Sequence, residues 1–230
     1  EMILLRCAFL LNDQSQTSLE EKKKPEINQY EEKKSPNLTI LRSKAFASDR
    51  KGFIKKIIHY FVFMMSGIIN SRYVKNYDLM IISSPPLFTG VIGLFLKHFR
   101  RKKYWLDIRD LWPDSALELN QINKGIFYKL GKKLESLIYT HAEGFIFPVP
   151  GFKSYLKQFP EKISKKPMYE LINGVSAEFI KKSSQIKYSP KPNFTVLYSG
   201  NMGLAQDLKT IVKAAFLLKK YNIVFRFIGN

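Results

Sequence analysis

Between Tyr77 and Val149 the chain alternates short strand-like runs with longer helix-like ones, and this alternation limits the fold more than any other feature of the sequence. The runs DLMIIS, KYWLDI and GFIFPV are apolar, rich in β-branched and aromatic residues, and short. Between them lie FTGVIGLFLKHF and a stretch from about Gly125 to His141. In the second stretch Ile126, Leu130, Leu134, Leu137 and Ile138 recur every three or four positions, while Lys129, Lys132 and Lys133 fall on the opposite face. Strand-helix-strand order with helices of this length predicts an α/β fold on a parallel sheet. Such sheets bind ligands at the carboxyl ends of their strands, so the residues just after each strand are the first candidates for chemistry.

The flanking segments extend the pattern. Met2 to Leu11 reads as a strand, residues 12–37 as a mobile loop or insertion, Asn37 to Arg42 as a strand, and Gly52 to Tyr73 as a helix. A further helix opens near Pro150 and Gly151, and the strand MYELI ends at Asn173-Gly174. Polar residues then interrupt the pattern as far as Pro192. Beyond them, FTVLYS, an amphipathic helix over Asp207–Lys220 and IVFRFI make one β-α-β unit. The expected organisation is a first domain over 1–175, an interdomain linker over 176–192 and the opening of a second domain over 193–230. A lone β-α-β unit leaves sheet faces and edges uncovered, and no glycine-rich turn follows the first strand. The sequence is therefore expected to be a fragment at both ends.

Charge sets the sign of the partners. Lys and Arg number 38 against 19 Asp and Glu, a formal charge of +19, which attracts phosphates of nucleotides, anionic lipids or nucleic acids. The basic residues are scattered over most segments and make no stripe, and no RNA-binding aromatic signature is present, so nucleic acid is the least favoured of these. The single cysteine, Cys7, makes no disulfide within the chain, and neither it nor His59, His98 or His141 belongs to a metal-ligand pattern. No signal peptide is recognisable at the start, and the apolar run Ile57 to Ile69 is shorter than the roughly 20 residues that span a bilayer as a helix. Together these features predict a cytoplasmic protein. The basic, aromatic-rich helix around that run fits either a core position or an anionic membrane surface.

Three segments carry candidate chemistry. Gly200-Asn201-Met202-Gly203-Leu204-Ala205-Gln206 joins a strand to a helix, where backbone amides and a helix dipole meet phosphate, although a plain tight turn accounts for it equally well. Asp107-Ile108-Arg109-Asp110-Leu111-Trp112-Pro113 follows another strand, and there an ion pair of Arg109 with Asp110 or Asp107 competes with a catalytic reading. Ser84, Pro85 and Thr89 lie in a strand-to-helix turn, where helix capping competes with ligand contact. No Ser-His-Asp triad, zinc site or Walker loop is present.

Taken in order, SSPPLFTG, LDIRDLWPDS, LESLIYTHAEGFIFPVPGFKSYL, INGV and LYSGNMGLAQDLKTIVKAA resemble family 4 glycosyltransferases. The likeness is greatest to the branch related to bacterial L-N-acetylfucosamine transferases of O-antigen, capsule and exopolysaccharide assembly. It runs from about Leu38 to the end. The resemblance implies a GT-B fold, with two Rossmann-like domains facing across a cleft. It implies sugar transfer with retention from a nucleotide-diphosphate donor to a lipid-linked saccharide, with no cofactor and no metal, at the inner face of the bacterial plasma membrane.

By the same resemblance, Gly200, Asn201, Gly203 and Gln206 face the donor diphosphate, and Asn173 and Gly174 form the turn before the linker and contribute to donor binding. Ser84, Pro85 and Thr89 lie on the acceptor side, and Arg109 and Asp110 form a polar pair in the catalytic cleft. Val149 stands where relatives commonly carry serine, and the paired-glutamate motif of the second domain would fall beyond Asn230. The fragment alone is therefore expected to be inactive. The alternative is a truncated or degenerate transferase that binds a membrane or a partner without catalysis.

Overall fold

A computed structural model of the chain describes residues 30–35, 38–43, 53–74, 77–186 and 193–229. The expected strand over Met2–Leu11 lies outside them. Contacts divide the chain into two compact units, with the boundary between Asn173 and Gly174.

The first unit holds a four-stranded parallel sheet. Its strands are β3 (Met80–Ser84), β4 (Tyr104–Ile108), β5 (Gly144–Phe147) and β6 (Met168–Glu170), hydrogen-bonded in that order. Helix α2 (Leu87–Arg100) joins β3 to β4, and α4 (Ile126–His141) precedes β5. Each runs within a residue or two of the predicted span, because an apolar stripe at helical spacing has a sheet face to cover. The core gathers Met80, Ile82, Tyr104, Leu106, Ile108, Phe145 and Phe147 from the strands with Leu96 and Ile138 from the helices. Burying side chains on both faces favours the near-continuous apolar runs seen in the sequence over strict alternation. Helix α1 (Phe53–Asn70) packs on α2 and ends in a single 3-10 turn, Ser71–Tyr73.

Of four short elements in this unit, three went unread in the sequence. Helix α3 (Asp114–Glu118) follows β4, α5 (Gly151–Leu156) follows β5, and α6 (Glu161–Ser164) precedes β6; only α5 matches a predicted helix start. Strand β1 (Tyr30–Ser35) lies inside the stretch 12–37 expected as a mobile loop or insertion, and it corrects that reading for its six residues. It pairs antiparallel with β2 (Leu38–Arg42), Tyr30 opposite Arg42 and Lys33 opposite Thr39. Backbone pairing to an apolar partner holds a Glu- and Lys-rich strand whose own composition gives no β signal.

The second unit begins with α7 (Ala177–Ser184), which lies in the segment expected as an irregular linker. Ser176 caps it by accepting from the Phe179 amide, and Glu178 pairs with Lys182 one turn on at 2.7 Å. Strands β7 (Phe194–Ser199) and β8 (Ile223–Ile228) pair in parallel across α8 (Leu208–Leu217), and this sheet is separate from the first. No described residue of this unit is fully buried. Among the described residues, no helix is long and apolar enough to cross a membrane.

Candidate functional site

The carboxyl edge of the four-stranded sheet is polar, and one ion pair organises it. Side chains alternate along an extended chain, so Asp107 and Arg109 project to the same side while Asp110 falls out of step. Arg109 Nε accordingly donates to both carboxylate oxygens of Asp107, at 2.8 and 2.9 Å. Asp107 is buried and also accepts from Ser83 Oγ at 2.7 Å. Arg109 Nη1 reaches across to Asn173 Oδ1 at 2.6 Å, and the Arg109 amide donates to the Ser84 carbonyl at 2.7 Å. Of the two acids that compete for Arg109 in the sequence, the pairing goes to Asp107. The Asp110 carboxylate, of the next residue in the chain, accepts no hydrogen bond from the described residues and is half-buried.

The other expected residues of this edge divide by what they touch. Ser84 is buried at the end of β3, Pro85 follows it, and the Thr89 hydroxyl lies 2.7 Å from the Ser83 carbonyl and 2.8 Å from the Pro86 carbonyl. Thr89 thus ties the first turn of α2 to the strand before it. Asn173 belongs to the arginine network. Gly174 begins the second unit.

In the second unit, the loop between β7 and α8 is built by two glycines on neighbouring strands. Gly200 has φ +155°, a conformation open to glycine, and its amide donates to the Ile228 carbonyl at 2.9 Å. A β-carbon on Gly229 would come within 1.7 Å of the Gly200 carbonyl oxygen, so the two backbones require glycine to approach this closely. Tyr198 Oη donates to the Asn201 carbonyl at 2.5 Å and fixes the turn that follows. The amides of Asn201, Met202 and Gly203 have no acceptor among the described residues. Successive free amides in a turn make a concavity that accepts anionic oxygens. The Gln206 side chain lies against Gly203, where an added β-carbon would sit 3.0 Å from its Oε1.

The Gly200 amide is therefore satisfied by the protein itself, and the amides after it, from Asn201 to Ala205, are the available donors. Asp207 precedes α8 in a left-handed conformation (φ 39°) with its Oδ2 accepting from Thr210 Oγ1 at 2.6 Å. Its negative charge already meets the helix N-terminus.

Sequence reasoning left Asp107 and Asp110 both open as the partner of Arg109, and it missed the role of Ser83, Gly229, and a polar cluster under the loop that carries Arg109. Gly229 was visible as a residue following a strand, but its meaning depends on Gly200 lying opposite. In the cluster, Asp114 of α3 accepts from Tyr128 Oη at 2.7 Å and Lys132 Nζ at 3.1 Å. Lys132 also lies 2.5 Å from Glu135 Oε2. Burial works against ionisation of Asp114, but hydrogen bonds from Tyr155, Tyr128 and Lys132 outweigh it and hold this carboxyl below its ordinary value. For the wholly buried Glu135, burial wins over Lys132 and Tyr155 and the carboxyl is pushed up.

Among the described residues, no grouping of histidine, cysteine or acidic side chains is placed to hold a metal ion. No family model matches the chain, and no curated protein matches it.

Proposed function

We propose that the chain is a nucleotide-sugar-dependent glycosyltransferase of the GT-B type, acting with retention on a lipid-linked saccharide at an anionic membrane surface in bacterial polysaccharide assembly. The observation that carries this reading is the row of three free amides, Asn201 to Gly203, at the carboxyl ends of two parallel strands. The ordered motifs of the sequence, which resemble family 4 glycosyltransferases, give that anion site its chemical meaning. In the reaction, the bond from the anomeric carbon to the diphosphate breaks as the acceptor hydroxyl oxygen bonds to that carbon. The hydroxyl proton leaves with the departing diphosphate. Amide donors stabilise the negative charge that builds on this leaving group, where a fixed dipole is more effective than mobile water.

The Asp107-Arg109-Asn173 network supports an acceptor-side role for the first sheet, because it holds a cation at the edge where open α/β sheets take ligands. Arg109 keeps a partly exposed guanidinium for an incoming polar group, and the carboxylate of Asp110, the next residue, has no hydrogen bond from the described residues. The membrane part of the proposal draws on α1, where Ile58, Phe61, Met65 and Ile69 are exposed along one stripe.

Thermal melting with nucleoside diphosphates tests the donor half. UDP or GDP at about a hundred times its dissociation constant stabilises a one-site protein by roughly 2.7 kcal/mol, a shift of several degrees for a unit of this size. Gly229→Val, whose side chain collides with the Gly200 carbonyl, is expected to abolish the shift. Absence of any shift with millimolar nucleoside diphosphates would remove the anion site and the transfer reading with it. Label moving from a nucleotide sugar to a lipid-linked saccharide, with the anomeric configuration read by NMR, tests the reaction itself.

A further inference from the structure

The polar cluster beneath the arginine loop is one proton short. Tyr155 Oη, from α5, lies 2.7 Å from Asp114 Oδ2 and 2.7 Å from Glu135 Oε1. A phenol carries one proton, so it fills only one of these two contacts with carboxylate oxygens. Lys132 does not fill the other: its ammonium donates to Tyr155 Oη at 2.7 Å and to Asp114 at 3.1 Å, and it pairs with the far oxygen of Glu135. With both acids ionised, the cluster would hold two negative charges against one positive. It would also press a bare carboxylate oxygen against a hydroxyl oxygen whose proton points elsewhere. Glu135 is 0% exposed, so water does not relieve that contact.

The other groups around Glu135 leave the deficit in place. Tyr128, on the first turn of α4, donates to the remaining oxygen of Asp114. Tyr139, one turn beyond Glu135, is a buried phenol whose ionisation is pushed far up by burial, by the charge of Glu135 and by its own hydrogen bond to that carboxyl; its proton goes to Glu135 and puts none between Glu135 Oε1 and Tyr155 Oη. Asp110, on the loop, adds negative charge on the side of Tyr139.

We propose that a proton on Glu135 Oε1 completes the cluster, with Glu135 donating to Tyr155 and Tyr155 donating to Asp114, and that losing this proton as the pH rises loosens the anchor of the 109–113 loop. The anchor is physical. Asp114 follows that loop directly, and Trp112 and Pro113 pack against α4 at Gly131, where a β-carbon would lie 3.2 Å from both. Loosening the α3–α4–α5 contact therefore releases the segment that carries Arg109 and Asp110. The direction of the pH effect follows from burial, which raises the Glu135 carboxyl above its ordinary range. A group raised in the folded state contributes stability at low pH and loses that contribution as the pH climbs from its unfolded value through its folded one. Most carboxylates of a folded protein act in the opposite sense.

Side-chain carboxyl NMR on the 13C-labelled full chain, read at Glu135 Cδ against the same residue in the urea-unfolded chain, tests the proposal without any sugar ligand. The expected midpoint lies at higher pH in the folded protein. Thermal melts across that window should show wild type losing stability with rising pH relative to Glu135→Gln, whose amide reproduces the neutral donor. A folded midpoint at or below the unfolded one overturns the proposal, as does a Glu135→Gln melt that tracks wild type across the window. If Glu135→Gln fails to fold, the wild-type titration decides alone. Since neither measurement involves nucleotide or acceptor, a failure here is separate from a failure of the transferase reading.

Discussion

Asp207 is the residue on which the proposed anion site is most easily tested. Its carboxylate stands at the N-terminus of α8, a few residues after the free amides of the Gly200 loop, and would repel a diphosphate if those amides bind one as proposed. Asparagine tolerates the same left-handed backbone and keeps an oxygen for Thr210 Oγ1. Asp207→Asn is therefore expected to tighten nucleoside diphosphate binding about two- to five-fold at low salt, the equivalent of roughly 0.3–1 kcal/mol for a charge at a helix terminus. Titration calorimetry with UDP or GDP reads it, and unchanged or weaker binding would place the diphosphate elsewhere. At this scale the sequence was partly legible. Position after a strand pointed to Arg109 and to the glycine loop. It did not reveal that the Gly200 amide is taken by Ile228, or that Asp107 takes Arg109 in preference to Asp110, because both outcomes depend on a neighbouring strand or on which face of the chain a side chain leaves.

Whole elements were read well where they were long and periodic. Helices α2 and α4 and strands β3, β4, β5, β7 and β8 lie close to their expected spans, since each has an apolar pattern long enough to identify its period. Helices α3, α6 and α7 have eight residues or fewer and too little pattern to read; they persist through local caps and ion pairs and through packing. One of the long elements also depends on a distant lysine. Lys166, just ahead of β6, donates from Nζ to the Tyr139, Thr140 and Ala142 carbonyls at the end of α4, where the last helix turn has no amide partners of its own. Burial lowers its basicity, with the positive charge of Lys97 acting in the same direction. Lys166→Met keeps the aliphatic stem and removes the donors, leaving those carbonyls unpaired at a cost of roughly 1–3 kcal/mol. Urea unfolding followed by tryptophan fluorescence, with Trp105 and Trp112 both in the first unit, measures the loss. A midpoint equal to wild type would show that solvent satisfies the helix end.

At the scale of the whole molecule, a formal charge of +19 and the exposed stripe Ile58, Phe61, Met65 and Ile69 on α1 would act on a membrane through different physics. Attraction between basic residues and anionic headgroups decays within a Debye length, about 10 Å at 0.1 M salt and about 3 Å at 1 M, so it falls steeply as salt is added. Transfer of apolar side chains into the acyl boundary is insensitive to salt and scales with the area buried. If the stripe enters the membrane, binding to phosphatidylglycerol vesicles should weaken with salt yet level off at a residual affinity. Phe61→Asp together with Met65→Asp should remove that residue of binding while leaving the low-salt attraction largely intact, because two added acids change the total charge little. Co-sedimentation of the full chain with vesicles across a salt series separates the two contributions. Binding that falls to nothing at high salt in wild type would assign the interaction to charge alone. Equal affinity for duplex DNA at matched phosphate concentration and salt would show that the charge does not distinguish a membrane from any other polyanion.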